Sequence, residues 1–202
     1  MDSFRSVTKK ALNFVFLISL PLTVYFILFA KEGIYFLSGK EYTGAIVPMQ
    51  IIMPTLILIG ITNILGIQIL VPLGKEKYVL YSEIAGAITD LILNAILIPF
   101  FQSSGAAIGT VAAEFAVLLV QFYALKDEVT PMFKAIKYYK IIIALLLGVA
   151  ASFWVPFLNF NSFVTLVISA VIFFAVYGVA LLIMKEQLVN DIFNQVKSKL
   201  HI

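Results

Sequence analysis

The chain has 202 residues, of which 62% are hydrophobic and 12% charged, with a net charge of +3. Soluble domains are about 45–50% apolar, and a chain of this size cannot hide such an excess in its own core. Lipid is therefore the natural solvent, and a polytopic membrane protein is expected. There is no cysteine, and the one histidine, His201, stands next to the last residue. This composition excludes disulfide scaffolds, thiolate metal sites, cysteine nucleophiles, serine–histidine hydrolysis within the chain and any two-histidine metal centre. No cofactor is implied, and an enzyme is not expected.

The N-terminal stretch MDSFRSVTKKALNFVFLISLPLTVYFILF begins like a signal peptide, with basic residues before an apolar run. The run exceeds the roughly 7–15 residues of a signal core and lacks a small-x-small cleavage site, so it reads as a retained span. Six runs approach the ~20 residues a helix needs to cross hydrocarbon: about 11–30, 45–72, 79–101, 106–125, 141–157 and 163–184. Breakers fill the connections, as LSGKEY, LGKEK, QSSG, DEVTP and NFN. The runs are long and lack alternation, which argues against a membrane barrel. The expectation is an all-α polytopic helical bundle with about six transmembrane helices over residues 1–184. A cytoplasmic amphipathic tail follows over 185–202.

With the N-terminus taken as cytoplasmic, twelve of the fourteen basic residues fall on that side, and only Lys31 and Lys40 fall on the other. This is a positive-inside pattern that puts both termini in the cytoplasm. It also accounts for the basic balance without nucleic acid. The link DEVTPMFKAIKYYK reads as a helix lying among the headgroups. In the tail, Leu188, Ile192, Val196 and Leu200 recur every four residues and form an apolar stripe. It suits the membrane surface, a partner, or a solvated cap.

Within the third run, Glu83, Ala87, Asp90 and Asn94 share one helical face, and in the fourth Thr110, Glu114, Val117 and Gln121 do the same. An ionised Asp at mid-span costs about 2.5–3.5 kcal/mol on insertion scales, which selects against a lipid-facing position. No Lys or Arg lies deep in a span, so Asp90 and Glu114 are either protonated or balanced by a cation from elsewhere. Gly105, Gly109 and Ala113 form a small-residue track that lets helices approach closely. The short link between these two runs makes them antiparallel neighbours, with Asp90 and Glu114 facing a shared cavity. The second run adds Asn63 and Gln68, and Pro21, Pro48, Pro54 and Pro72 punctuate the first two. Asp90, Asn94, Glu114, Gln68 and Asn63 are the candidate cavity-lining or ion-coupling residues. The amides also suit plain helix bridging.

Several features in order then resemble a known family. They are the early proline of SLPLTVYFILF, Leu37, Gly39 and Tyr42 after it, the Gly74–Lys75 turn, the LILN…LIP segment at Leu91–Pro99, and GAAIGT at Gly105–Thr110 leading to Glu114. The run resembles the later half of the polysaccharide flippases, the O-antigen, capsule and teichoic-acid repeat-unit translocases of the multidrug/oligosaccharidyl-lipid/polysaccharide exporter superfamily. The resemblance implies a transporter in the bacterial plasma membrane that moves an undecaprenyl-pyrophosphate-linked oligosaccharide by alternating access of two lobes. Family members have about twelve to fourteen spans, against six here. The resemblance therefore also implies a missing N-terminal half, supplied on another chain or lost by truncation. A drug or cation antiporter of the same superfamily and a non-transporting assembly subunit remain alternatives.

Overall fold

The computed structural model describes residues 2–199 and is helical, with no strand among the described residues. Leu200 and His201 lie outside them. The chain divides into two compact units, residues 1–135 and 136–202. Among the described residues, five helical stretches are long and apolar enough to cross a membrane. The longest folds back on itself and supplies two of the six expected runs.

In the first unit, α1 (Asp2–Leu28) runs through Pro21 without a break. The proline was expected to interrupt this span. It removes only one backbone donor, and the interruption comes later, at Phe29, where φ is −104° and ψ 25°. There α1 gives way to the short α2 (Ala30–Leu37). The second run is one continuous helical stretch, Lys40–Leu70, assembled from pieces. A 3-10 turn (Lys40–Ala45) leads into α3 (Ile46–Ile52), α4 (Thr55–Asn63) and seven residues of π-helix, Ile64–Leu70. Pro54 lacks an N–H and ends the ladder between α3 and α4. The wider π turn shows in the bonds from Val71 N–H to Gly66 O and from Lys75 N–H to Leu70 O.

Next, α5 (Glu76–Lys134) spans 59 residues, about 88 Å as a straight rod. That is far beyond a ~30 Å hydrocarbon core. The chain reverses at Gln102, whose φ of 49° and ψ of −126° are non-helical. Two antiparallel arms result, residues 76–101 and 103–134. The expected surface helix over DEVTPMFKAIKYYK does not form as a separate element. The second arm continues through Pro131 to Lys134, and α6 starts at Tyr138.

Counted from the polar turn at Gln102, about 20 residues of each arm cover the hydrocarbon. The far edge then falls near Ser82 and Phe122. A large part of the core of this unit lies at and beyond that edge. Leu12, Leu65, Ile69, Leu70, Leu125 and Val129 are all fully buried, where α1, the π-helix and the second arm meet. Water is close at this depth, so burying these side chains is favourable by roughly 1.5–3 kcal/mol each. Deeper in the bilayer, association rests on close packing instead. A Cβ at Gly60 of α4 would lie 2.6 Å from a Val15 methyl of α1.

The second unit is a hairpin with a tail. It contains α6 (Tyr138–Ser152), a 3-10 turn (Val155–Leu158), α7 (Ser162–Ile183) and α8 (Gln187–Lys199). Asn161 caps α7 by accepting the Val164 N–H at 2.8 Å. The α6–α7 seam is made of small and hydroxyl residues, with Ser152, Thr165 and Ser169 all buried. The Gly148 backbone approaches Phe173, where a Cβ would meet the Phe173 carbonyl at 3.1 Å. At one end, Lys140 is buried, and its ammonium donates to the carbonyls of Met184 and Lys185 at 2.5 and 2.8 Å. Met184 is the C-cap of α7 and Lys185 follows it, where carbonyls have no intrahelical partner, and a cation is the favourable group at that dipole end. In α8, Leu188 is half-buried and Ile192 exposed. The rest of the expected stripe lies outside the described side chains.

Gly60→Leu should drive α1 and α4 apart. Overpacking of this kind costs about 1–3 kcal/mol, so thermal denaturation of the detergent-solubilised protein should show a lower melting temperature, with Gly44→Leu, where the added Cβ meets open space, as the comparison.

Candidate functional site

The two arms of α5 set the site. Four contacts fix their register. Gln121 Nε2 donates to Ser82 Oγ at 3.1 Å, and a Cβ at Gly86 would meet Val117 at 2.6 Å. Asn94 lies over Gly109, and a Cβ at Gly105 would meet the Leu97 carbonyl at 2.5 Å. Steps of four and eight residues along the first arm are matched by equal steps back along the second, and the last, next to the turn, is three against four, so this is an antiparallel seam. The small-residue track is what closes it, because Gly105 and Gly109 leave no room for a side chain. Ser82, Gly86, Asp90, Asn94 and Leu97 make the seam on the first arm. Glu83 and Ala87, predicted to share the face of Asp90 and Asn94, are exposed. They stand at the edge of the seam, where the partner helix no longer covers them.

Asp90 and Asn94 form the central feature. They stand one helical turn apart, and Asn94 Nδ2 donates to Asp90 Oδ2 at 2.9 Å. Their other oxygens, Asp90 Oδ1 and Asn94 Oδ1, are buried and lack a hydrogen-bond partner among the described residues. Both point into the space left by Gly109. A Cβ there would overlap Asn94 Oδ1 and lie 3.4 Å from Asp90 Oδ1. From Gln102, Asp90 is about 18 Å and Asn94 about 12 Å along the arm, the middle of a ~30 Å hydrocarbon layer. Two acceptor oxygens converging at mid-depth repel each other unless something positive joins them. A proton on Asp90 Oδ1 would donate to Asn94 Oδ1 and satisfy both. A small cation would do the same by coordination, since hard cations take oxygen ligands.

The other candidates are placed differently. Glu114 is half-buried on the second arm at the depth of Asp90. Asn63 is exposed and returns its Nδ2 to the Ile59 carbonyl of its own helix at 2.9 Å. Gln68 is exposed on the π-helix. Five residues separate these two amides, which would place them about 140° apart on an α-helix. The wider π turn over Ile64–Leu70 brings them towards one side.

Other polar links escaped the sequence reading. Ser82 is fully buried under Gln121, and Gln121 Oε1 is buried against Gly66 of the π-helix without a hydrogen-bond partner among the described residues. Gln50 Nε2 donates to the Ile27 carbonyl at 3.0 Å, beside the Phe29 break, and Thr23 Oγ1 donates to the Met53 carbonyl at 3.3 Å, beside Pro54. The signal for Gln50 was its place between two prolines in one apolar run. Ser82 carried none.

Fold and site together define a multi-pass helical membrane protein with polar groups held in an interhelical seam. Three relatives are similar to it over part of their length. An uncharacterised membrane protein of Methanocaldococcus jannaschii is 28% identical over 177 residues, covering 84% of this chain and 35% of that protein. Lipid II flippase MurJ of Bacillus subtilis is 29% identical over 137 residues, covering 62% of this chain and 25% of MurJ. A protein of Escherichia coli named as an O-antigen transporter is 30% identical over 109 residues, covering 54% of this chain and 26% of that protein. The chain spans about a quarter to a third of the length of these relatives. No protein-family profile matches it, and no solved structure does. The similarity is to membrane flippases and transporters, and it does not extend to a particular substrate.

Gly109→Ala should push Asn94 off Asp90 and widen the seam. Its thermal stability should fall by about 1–3 kcal/mol, and Asn94→Ala in the same background should recover part of that loss, read by denaturation of the purified protein.

Proposed function

We propose that the chain is the membrane-embedded part of a flippase for lipid-linked oligosaccharide repeat units in a bacterial plasma membrane, with both termini cytoplasmic. In this reading it works with a further set of helices, supplied on the same polypeptide or another, around a route for an undecaprenyl-pyrophosphate-linked sugar. The partial likeness to a lipid II flippase and to a protein named as an O-antigen transporter supports it. So does the positive-inside count of basic residues.

The observation that carries the proposal is the pair of unpartnered oxygens over Gly109. A carboxylate at mid-depth with an open acceptor is a costly arrangement. Reversible occupation by a proton or a small cation would give it a use, because binding would tie the two arms together and release would loosen them. Asp90 and Asn94 would then be the coupling groups. Glu114 would be a second titratable group at the same depth, and Asn63 and Gln68 would be amides lining the route.

A second reading, a non-transporting membrane assembly subunit, is favoured by one observation. Ser82, Gln121, Asp90 and Asn94 all lie in one seam, where amides and carboxyls serve as interhelical glue at about 0.6–2 kcal/mol each.

One experiment separates the two. Asp90→Asn keeps size and hydrogen-bonding capacity but removes the titratable group. Introduced at the chromosomal locus, it should abolish export of surface polysaccharide while protein levels stay normal. Wild-type polysaccharide in that strain would exclude Asp90 from coupling and leave the glue reading.

A further inference from the structure

A groove of about 570 Å³ runs along the outside of the α5 hairpin, away from the Asp90 seam, lined by Tyr78, Tyr81, Leu119, Phe122, Tyr123 and Lys126. Both arms contribute, and the wall is almost wholly carbon, made of tyrosine rings, aliphatic side chains and the stem of Lys126. The polar atoms belong to the rim. Lys126 Nζ stands 5.5 Å from the centroid of the Tyr123 ring, and the Tyr78 and Tyr81 rings meet edge-on at 6.3 Å. Tyr78, Tyr81 and Tyr123 are exposed. Lys126 is exposed as well, as is Asp127 beside it, and the ion pair found among the described residues is the neighbouring Lys75–Glu128 bridge at 3.1 Å, which leaves Lys126 out.

Arm lengths fix the depth of this groove. The hydrocarbon layer begins at Gln102 and ends about 20 residues along each arm, near Ser82 and Phe122. Leu119 and Phe122 therefore lie at the bottom edge of the acyl layer, and Tyr78, Tyr81, Tyr123 and Lys126 lie just outside it, among the headgroups. An apolar trough that opens into acyl chains and ends in a cation and three phenols matches a molecule with an apolar chain and an anionic head.

We propose that this groove binds a single anionic phospholipid. One acyl chain lies along Leu119 and Phe122, and the phosphate accepts hydrogen bonds from the Lys126 ammonium and the tyrosine hydroxyls. A free phosphate ion would leave the apolar wall unfilled. A zwitterionic lipid would bring its own ammonium against Lys126. The positive-inside count places the site in the cytoplasmic leaflet, where anionic lipid supplies the matching charge. The site differs from a general aromatic belt in having one cation and a chain-sized groove on a single helix pair.

The test is native mass spectrometry of the full chain in detergent, with phosphatidylglycerol or phosphatidylcholine added. The wild type should retain phosphatidylglycerol preferentially. Lys126→Ala should reduce that retention about fivefold, the factor corresponding to ~1 kcal/mol for a basic residue at an anionic surface, and Lys126→Arg should restore most of it. Leu119→Trp, which fills the trough, should lower retention of both lipids, and Lys31→Ala should change neither. Both groove variants alter exposed positions, and unchanged melting curves would confirm that they fold. Equal retention of the two lipids by the wild type would overturn the proposal and leave a belt of interfacial aromatics. So would wild-type retention in both Lys126→Ala and Leu119→Trp, or binding of inorganic phosphate that Leu119→Trp leaves intact.

Discussion

Hydrocarbon offers no hydrogen-bond partner, so a helix that breaks within it exposes carbonyls that the protein itself must cover. Much of this fold can be read as the set of groups that meet this demand. Beside the break at Phe29, the Ile27 carbonyl takes a hydrogen from Gln50. Beside Pro54, the Met53 carbonyl takes one from Thr23. At the end of α7, the ammonium of Lys140 serves two carbonyls at once. These links also join different helices of the same unit, so covering the backbone and fixing helix order are one act. A polar side chain placed for the first purpose becomes a staple for the second.

The helix runs were legible because they depend on length and hydropathy, which sequence carries directly. The hairpin was legible too. QSSG is polar and short, and the glycines beyond it announce a close approach. The partners of the polar residues were not legible. Helical periodicity groups Glu83 with Asp90 and Asn94, yet only the last two meet Gly109. Which part of a face a neighbour covers depends on how the second helix crosses the first, and one helix alone does not encode that. Lys140 shows the same limit. As a sequence symbol it is one more interfacial lysine, and its role as the cap of α7 depends on a helix end 44 residues away. Pro21 shows the opposite error, since a helix built on long apolar packing tolerates one missing donor and runs on.

Polarity and burial are distributed unevenly along the α5 hairpin. Towards Gln102 the arms touch through glycine, and the gap holds the Asp90–Asn94 pair. Towards the other end they touch through Gln121 and Ser82, and beyond that lies the aliphatic core around Leu125 and Val129. The well-packed end sits where water makes burial pay, and the middle of the hairpin, deep in lipid, relies on fit. The hairpin is thus anchored near the membrane surface and has its least satisfied polar atoms where the surroundings are most apolar.

The seven π-helical residues from Ile64 to Leu70 have a consequence for how this segment tolerates changes in length. A π turn amounts to an α turn carrying one surplus residue. Removing a single residue there would let the strand of bonds close up as ordinary helix, and the span would still be long enough to cross. Because the wide turn absorbs that residue locally, the helix on either side would keep its phase, and Asn63 and Gln68, then four steps apart, would stand about 40° from each other, still towards one side. The wide turn therefore acts as a buffer for length. It lets the span carry one residue more without changing the angle at which its two halves address their neighbours.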